Sequence, residues 1–214
     1  MFSGCTSLKQ APNLPATTLA TACYSNMFHS CTSLTKAPDL PATRLSYEGY
    51  VSMFNNCNKL TQAPELPATR LDTNCYTNMF KNCTSLTKAP SVLPATTLAN
   101  HCYNSMFLGC TSLTQAPEIS ATTMAERSCN AMFQGCTSLT TPPDLSATTL
   151  NKFCYSSMFK GCTSLKIGPV IHAKNMANDC YYAMFENCTS LKRVKMNASS
   201  GAWGGYMFTG CKSL

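Results

Sequence analysis

Fifteen cysteines in a chain of 214 residues are the first candidates for chemistry. One set stands at a constant distance behind a repeated Met-Phe dipeptide and comprises Cys5, Cys31, Cys57, Cys83, Cys110, Cys136, Cys162, Cys188 and Cys211. A second set lies shortly before the dipeptide and comprises Cys23, Cys75, Cys102, Cys129, Cys154 and Cys180. Such regular spacing is compatible with disulfides, with a metal site or with buried thiols that act as small apolar residues.

We predict that these cysteines are buried and reduced, with disulfides within each repeat, such as Cys23 to Cys31, as the alternative. One repeat carries Gly49 in place of the first cysteine, yet Cys57 remains. An intervening helix and cap would also hold two such Cα atoms about 12 Å apart, whereas a disulfide needs less than about 7 Å. No Cys-x-x-Cys pair and no column of histidines occurs, so we expect no metal.

The other ionisable residues do not form a catalytic group. His29, His101 and His172 occupy three different phases of the repeat, so each is interpreted as a surface substitution. The sequence contains neither a Gly-rich phosphate loop nor a Ser nucleophile elbow. We therefore predict a protein that is not an enzyme, with no catalytic residues and no cofactor.

Polar residues recur in register and predict a binding face instead. Carboxylates follow a proline at one phase, and lysine or glutamine occupies a nearby phase. Stacked carboxylates could suggest paired acid/base catalysis, but a catalytic pair sits alone in a cleft, whereas these recur along a solvated ridge of mixed charge. The candidate binding residues are Lys36, Asp39, Gln62, Glu65, Lys88, Gln115, Glu118 and Asp144.

These residues are positioned by a tandem repeat, which is marked by the Met-Phe dipeptide. The dipeptide recurs at Met1, Met27, Met53, Met79, Met106, Met132, Met158, Met184 and Met207. The spacing is 26 residues, except for one interval of 27 and a last interval of 23. We predict one solenoid domain over residues 1–214 with about eight repeats. The chain opens and closes at the same phase without a polar cap, so we expect an excerpt of a longer protein.

An α/β repeat with one short helix per 26-residue unit is the predicted architecture. Leu98, Cys102, Tyr103, Met106 and Phe107 are spaced to share one helical face. Two residues after each Phe stands a residue suited to a left-handed helix C-cap. These positions are Gly4, Ser30, Asn56, Asn82, Gly109, Gly135, Gly161, Asn187 and Gly210.

An extended segment such as 113–119 follows each cap, and we expect its short strands to stack in parallel into a sheet. Its proline cannot donate a ladder hydrogen bond, so only the part before the proline is free to pair. A second extended stretch, such as 121–124, leads into the next predicted helix. The last interval carries the simple spacing of a leucine-rich repeat at 191–197, so the longer units are interpreted as the same coil with a Pro-containing bulge.

The octet Met-Phe-x-Gly-Cys-Thr-Ser-Leu, repeated at this spacing along the whole chain, resembles the BspA-like leucine-rich repeats of bacterial surface proteins. The resemblance implies a secreted or surface-anchored bacterial protein, and several members of that family are implicated in adhesion to host or matrix proteins. The chain departs from the family pattern by its Ala-Pro-x-Leu-Pro insertion. We therefore expect a non-catalytic, monomeric protein that binds a protein or glycan ligand on an extended face.

Other functions are less well supported by the sequence. The net charge is +7, but among the basic residues only Lys192, Arg193 and Lys195 cluster, so we do not expect nucleic-acid binding. No apolar run approaches the ~18 residues that span a bilayer. A structural spacer or an accessory module of a larger protein is the alternative. Repeated Thr pairs such as 96–97 raise ice binding as a remote third, although Arg44 and Arg70 interrupt them.

Overall fold

The computed structural model describes residues 1–197 and 204–214. Within these ranges the chain forms no helix and only short strands. In chain order they are β1 (Val92–Leu93), β2 (Glu118–Ile119), β3 (Thr149–Leu150), β4 (Ile167–Ile171), β5 (Asn175–Met176) and β6 (Arg193–Met196). They pair in parallel as β1 with β2, β3 with β5 and β4 with β6, each partner lying one repeat further along the chain.

The prediction of one helix per repeat is wrong, because a ribbon of consecutive turns stands in its place. Within this turn ribbon the backbone N–H groups alternate between two kinds of acceptor. The N–H of Met27 donates to the carbonyl of Tyr24 at 3.2 Å, three residues back. The next N–H, of Phe28, donates to the carbonyl of Met53 in the following repeat at 2.9 Å. In a helix these N–H groups would donate to carbonyls of the same segment, whereas in the ribbon half of them donate to carbonyls of the neighbouring repeat.

The turn ribbon requires a left-handed residue at every fourth position. Ala22, Asn26 and Ser30 have φ of 53°, 54° and 58°. The predicted left-handed conformation two residues after each Phe is confirmed at all nine positions, from Gly4 (φ 75°) to Gly210 (φ 76°), although no helix ends there. A non-glycine residue in the left-handed conformation destabilises the fold by about 1–2 kcal/mol. The hydrogen bonds between repeats offset this cost, since they leave few ribbon N–H groups unpaired.

Columns of identical side chains form the core between repeats. Phenylalanine rings stack from Phe2 to Phe208, with ring centroids of successive repeats 5.4–5.7 Å apart. Leucines of the Thr-Ser-Leu motif, such as Leu113, are also fully buried. The Leu, Met, Phe and Cys positions that we expected to face inward are thus buried in the interior repeats. Offset-stacked aromatic pairs add about 0.5–1.5 kcal/mol each beyond their buried area.

The extended segments stack in parallel, as expected, but as isolated bridges and two-stranded pairs and not as a continuous sheet. Examples are the bridges between Gln62 and Lys88 and between Gln115 and Thr141. Between β4 and β6 the register shifts, because Ile167 pairs with Arg193 while Val170 pairs with Lys195. Within the paired segment the 26-residue unit therefore has one residue more than the 23-residue unit, at the Gly-Pro dipeptide, and this is the predicted Pro-containing bulge.

Candidate functional site

The bulge determines which side chains face solvent on the bridged segments. In the second repeat Lys36 is exposed, Ala37 and Pro38 are buried, and Asp39 is exposed again. Two outward residues are therefore three positions apart, where a regular strand would place them two apart. The same order recurs from Gln115 to Glu118. Each such repeat consequently adds one residue to a Lys/Gln row and one to an acidic row, with an Ala-Pro step between them.

All eight residues predicted as a binding face lie along three overlapping grooves on this surface, which we call the charged groove. The first part, of about 630 Å³, is lined by Lys36, Asp39, Gln62 and Glu65 together with the Ala-Pro steps. Lys88 and Gln115 continue it in the second part. Glu118 and Asp144 continue it in the third. The residues are thus brought together in register, although the sequence alone did not show that the Ala-Pro steps form the floor.

Most charges of the groove are not neutralised by one another. Among the described residues, no ion pair involves Lys36, Asp39, Lys88 or Glu118. Glu65 is engaged differently, since its carboxylate accepts hydrogen bonds from the N–H and hydroxyl of Ser91 in the next repeat, at 2.8–3.2 Å. The unpaired side chains are available to a partner, and charge-assisted hydrogen bonds are among the stronger polar contacts.

Ser91 was missed as a groove residue by the sequence analysis. It lies in the single 27-residue interval, where the chain reads Ala-Pro-Ser-Val-Leu-Pro and the 26-residue intervals have one residue fewer. Its side chain is exposed and lines the second part of the groove. The unusual interval length was the signal that could have identified it.

A second polar column runs beside the groove on the stretch that leads into the turn ribbon. Thr97, Thr123 and Thr149 are exposed and bridged in parallel from one repeat to the next. Arg44 and Arg70 occupy the same column in earlier repeats and are also exposed and bridged. The column is therefore polar but chemically mixed, as the sequence indicated.

The first cysteine set forms a ladder of thiol hydrogen bonds inside the molecule. Each thiol from Cys31 to Cys211 donates to the main-chain oxygen of the Phe in the preceding repeat, with Sγ 3.0–3.1 Å from that oxygen. Burial raises the pKa of Cys57 and of Cys136 to about 12. A thiol with so high a pKa is almost never ionised at neutral pH, so it is a poor nucleophile and a poor metal ligand.

Cys129 departs from the second cysteine set by one position. The N–H of Tyr76 donates to the carbonyl of Cys102, and in the next pair of repeats the N–H of Tyr103 donates to the carbonyl of Ser128. Ser128 thus occupies the cysteine phase, and Cys129 occupies the tyrosine phase.

All fifteen thiols are free, and only Cys5 and Cys23, in the first repeat, are exposed. The described residues contain no group of three or more His, Cys, Asp or Glu arranged to hold a metal.

The stacked repeats, with parallel bridges beside a buried leucine column, define a leucine-rich repeat protein. A model of the BspA type leucine rich repeat region matches residues 1–114 and 130–214 in six copies, so the chain belongs to this family. The resemblance noted from the octet is thereby confirmed.

A solved structure of a leucine-rich repeat protein from Bacteroides ovatus ATCC 8483 is similar, with 17% identity and a TM-score of 0.42; the match covers 99% of this chain and 66% of that one. Comparison with curated proteins gives no match. In the part of the chain that the structure describes, no helix is long and apolar enough to cross a membrane.

Proposed function

We propose that this chain is a non-catalytic binding module that holds a segment of another protein in the charged groove. The observation that carries the proposal is the pair of exposed polar rows along the groove, whose charges are largely unpaired. The rows lie on a backbone joined from repeat to repeat by hydrogen bonds, so their spacing of about 4.8 Å per repeat is held in place. A preordered surface loses little conformational entropy when it binds.

An extended polypeptide fits the groove better than a glycan does. The Ala-Pro floor offers apolar contact, and the flanking rows offer carboxylates, ammonium groups and amides at regular intervals. None of the residues lining the three parts of the groove is aromatic. Sugar rings are commonly bound by stacking on flat aromatic side chains, so a lining without such side chains favours a peptide over a glycan.

The setting that we propose for this binding is the surface of a bacterium or the secreted fraction, with an adhesive role. Membership of the BspA-type family supports it. We further propose that the protein acts as a monomer and that residues 1–214 form a single solenoid domain. A spacer or accessory module that binds nothing in the groove is the competing proposal.

Selection of random peptides displayed on phage, followed by fluorescence anisotropy with the enriched peptides, tests the groove. The test variant is Lys36→Glu/Lys88→Glu, which reverses two exposed groove charges. The control is Lys59→Glu/Lys152→Glu, which reverses two exposed charges that do not line the groove. We expect the first variant to weaken binding at least tenfold and the control to change it less than twofold.

Equal effects of the two variants would show that binding depends on net charge alone and would overturn the proposal. Enrichment of no peptide, together with a positive glycan array, would make the ligand a glycan. If neither the peptide selection nor the glycan array yields a ligand, the result would favour a spacer that binds nothing in the groove.

A further inference from the structure

The bridged surface changes its charge in the last two described repeats. In four of the six earlier repeats the outward residue behind the Pro is acidic, at Asp39, Glu65, Glu118 and Asp144. In the repeat of β4 the equivalent residue is Val170, and in the repeat of β6 it is Lys195. The acidic row therefore stops, and positive charge takes its place. This change lies outside the three parts of the charged groove.

Pairing of β4 with β6 arranges four outward side chains as a two-by-two grid. Ile167 lies opposite Arg193, and Val170 lies opposite Lys195. Between the two aliphatic residues the Gly168–Pro169 bulge is buried. Ile167 is 53% exposed, which is high for an aliphatic residue in a pairing segment. One row of the grid is thus aliphatic and the other cationic, and the pairing of the two strands holds both rows in place.

Two further cations flank the grid. The N–H of Lys192 donates to the carbonyl of Lys166 at 2.9 Å, so the two lysines are neighbours on adjacent repeats. Lys166, Lys192, Arg193 and Lys195 are all exposed, and none of them forms an ion pair within residues 1–197 and 204–214. We call these four cations with Ile167 and Val170 the terminal patch. It exposes apolar surface and uncompensated positive charge side by side, which a partner of complementary character could cover.

We propose that the terminal patch binds an acidic amphipathic helix of a partner protein. Along a strand, alternate residues are about 6.6 Å apart, and adjacent repeats are about 4.8 Å apart. On a helix, residues i and i+4 are separated by a rise of about 6 Å, and the Cβ atoms of residues three or four apart lie about 5–6 Å from each other. The side-chain spacings of the patch and of a helix are therefore similar. A single helix presents a carboxylate row beside an aliphatic row, whereas one face of a single extended strand presents only one row.

The chemistry of the patch favours a protein over the other polyanions. Single-stranded nucleic acid is held by aromatic side chains on which bases stack, and none of the six residues is aromatic. A sulfated glycan would satisfy the cations but would leave Ile167 and Val170 without an apolar partner. The proposal goes beyond the charged groove and does not depend on it.

Fluorescence anisotropy with a labelled synthetic helix tests the proposal. The probe is an 18-residue peptide with Glu at i and i+4 and Leu on the adjacent row. Its control is a scrambled peptide of the same composition. We expect micromolar binding of the probe and at least tenfold weaker binding of the scrambled peptide. Binding of the probe should also weaken as the salt concentration rises from 50 to 300 mM, because charge pairs on the surface are screened.

Charge reversal in the protein locates the site. Arg193→Glu/Lys195→Glu should weaken binding of the probe at least tenfold, and the neutral variant Arg193→Gln/Lys195→Gln should give an intermediate loss. The control Lys59→Glu/Lys152→Glu should leave binding within twofold. All four positions are exposed, so unchanged thermal unfolding should accompany each variant.

Three results would overturn the proposal. One is equal binding of the scrambled peptide, which would reduce the patch to a general positive charge. Another is an equal loss in the control variant. The third is binding of heparin or of vesicles with phosphatidylserine that exceeds binding of the probe and is lost in Arg193→Glu/Lys195→Glu, which would make the ligand a glycan or a membrane. None of these results bears on peptides selected for the charged groove.

Discussion

The thiol of Cys110 donates a hydrogen bond to the main-chain oxygen of Phe80 in the preceding repeat, with Sγ 3.1 Å from the oxygen. That oxygen also accepts the N–H of Cys83 within its own repeat. The carbonyl thus joins the end of one turn ribbon to the core of the next repeat. A small apolar side chain with one donor satisfies this position, which explains the recurrence of cysteine there without redox or metal chemistry.

Replacement of Cys110 by Ala should destabilise the protein by about 1–3 kcal/mol. The substitution removes a fully buried sulfur and leaves a cavity, and it deprives the carbonyl of one of its two donors. Denaturant unfolding followed by circular dichroism measures the change. Cys5→Ala is the matched control, because Cys5 has the same phase but is exposed, and it should cost less than about 0.5 kcal/mol. A similar cost at both sites would contradict a structural role for the thiol ladder.

Stability should fall as the pH rises from about 9 towards 12. Burial raises the pKa of Cys57 and Cys136 in the folded protein to about 12, above the ordinary value of 9.0. Between these values the unfolded chain releases thiol protons that the folded chain retains. The stabilisation is therefore complete below pH 9 and is lost as the pH approaches the folded value. Each such thiol contributes about 1.4 kcal/mol per pH unit in this window.

Urea midpoints at pH 7.0, 8.0, 9.5 and 10.5 test this pH dependence. The first two should agree, and the last two should decrease in order. Titration with Ellman's reagent at pH 8 gives an independent check, since the exposed Cys5 and Cys23 should react rapidly in the folded protein and the buried thiols only after unfolding. Rapid reaction of all fifteen thiols in the folded state would contradict the burial of the interior thiols.

Gly109→Ala should be more destabilising than Gly4→Ala. Both glycines have left-handed backbones, with φ of 73° and 75°. A Cβ at position 109 would collide with Oδ1 of Asn82, whereas a Cβ at position 4 would meet nothing within 4 Å. Moving the Asn82 side chain would disturb its hydrogen bond to Asn56, in which Nδ2 of Asn82 lies 3.1 Å from Oδ1 of Asn56. We expect Gly4→Ala to destabilise the protein by about 1–2 kcal/mol from backbone strain alone, and Gly109→Ala to destabilise it by more.

The second substitution Asn82→Ala checks the cause of that difference. In this background Gly109→Ala should cost only the backbone strain seen at Gly4, because the colliding atom is gone. A double-mutant cycle measured by thermal unfolding gives the coupling between the two positions. Zero coupling would assign the whole cost to backbone conformation.

Leu113→Ala should cost on the order of 2–5 kcal/mol, because the leucine is fully buried and its removal leaves a cavity. Gln115→Ala, two residues later on the exposed Lys/Gln row, should cost less than about 0.5 kcal/mol. Chemical denaturation of both variants measures the contrast. Equal losses of stability in the two variants would contradict the assignment of Leu113 to the core and of Gln115 to the surface.

Much of this arrangement could be predicted from the sequence, because it follows from one period of the chain. The 26-residue interval identified the family, the phase of the apolar residues identified the core, and Gly or Asn after the Phe identified a left-handed backbone. The Lys/Gln and acidic phases predicted side chains that are indeed exposed. Each of these properties belongs to a single repeat, so composition and spacing are sufficient to state it.

What only the tertiary structure decided depends on bonds between repeats. The spacing of Leu98, Cys102, Tyr103, Met106 and Phe107 suits a helix of 3.6 residues per turn, but it suits a turn ribbon with a four-residue period equally well. The ribbon forms because half of its N–H groups find carbonyls in the next repeat, and a single repeat does not reveal such partners. For the same reason the terminal patch, which requires Ile167 to lie opposite Arg193, emerged only from the pairing of two repeats.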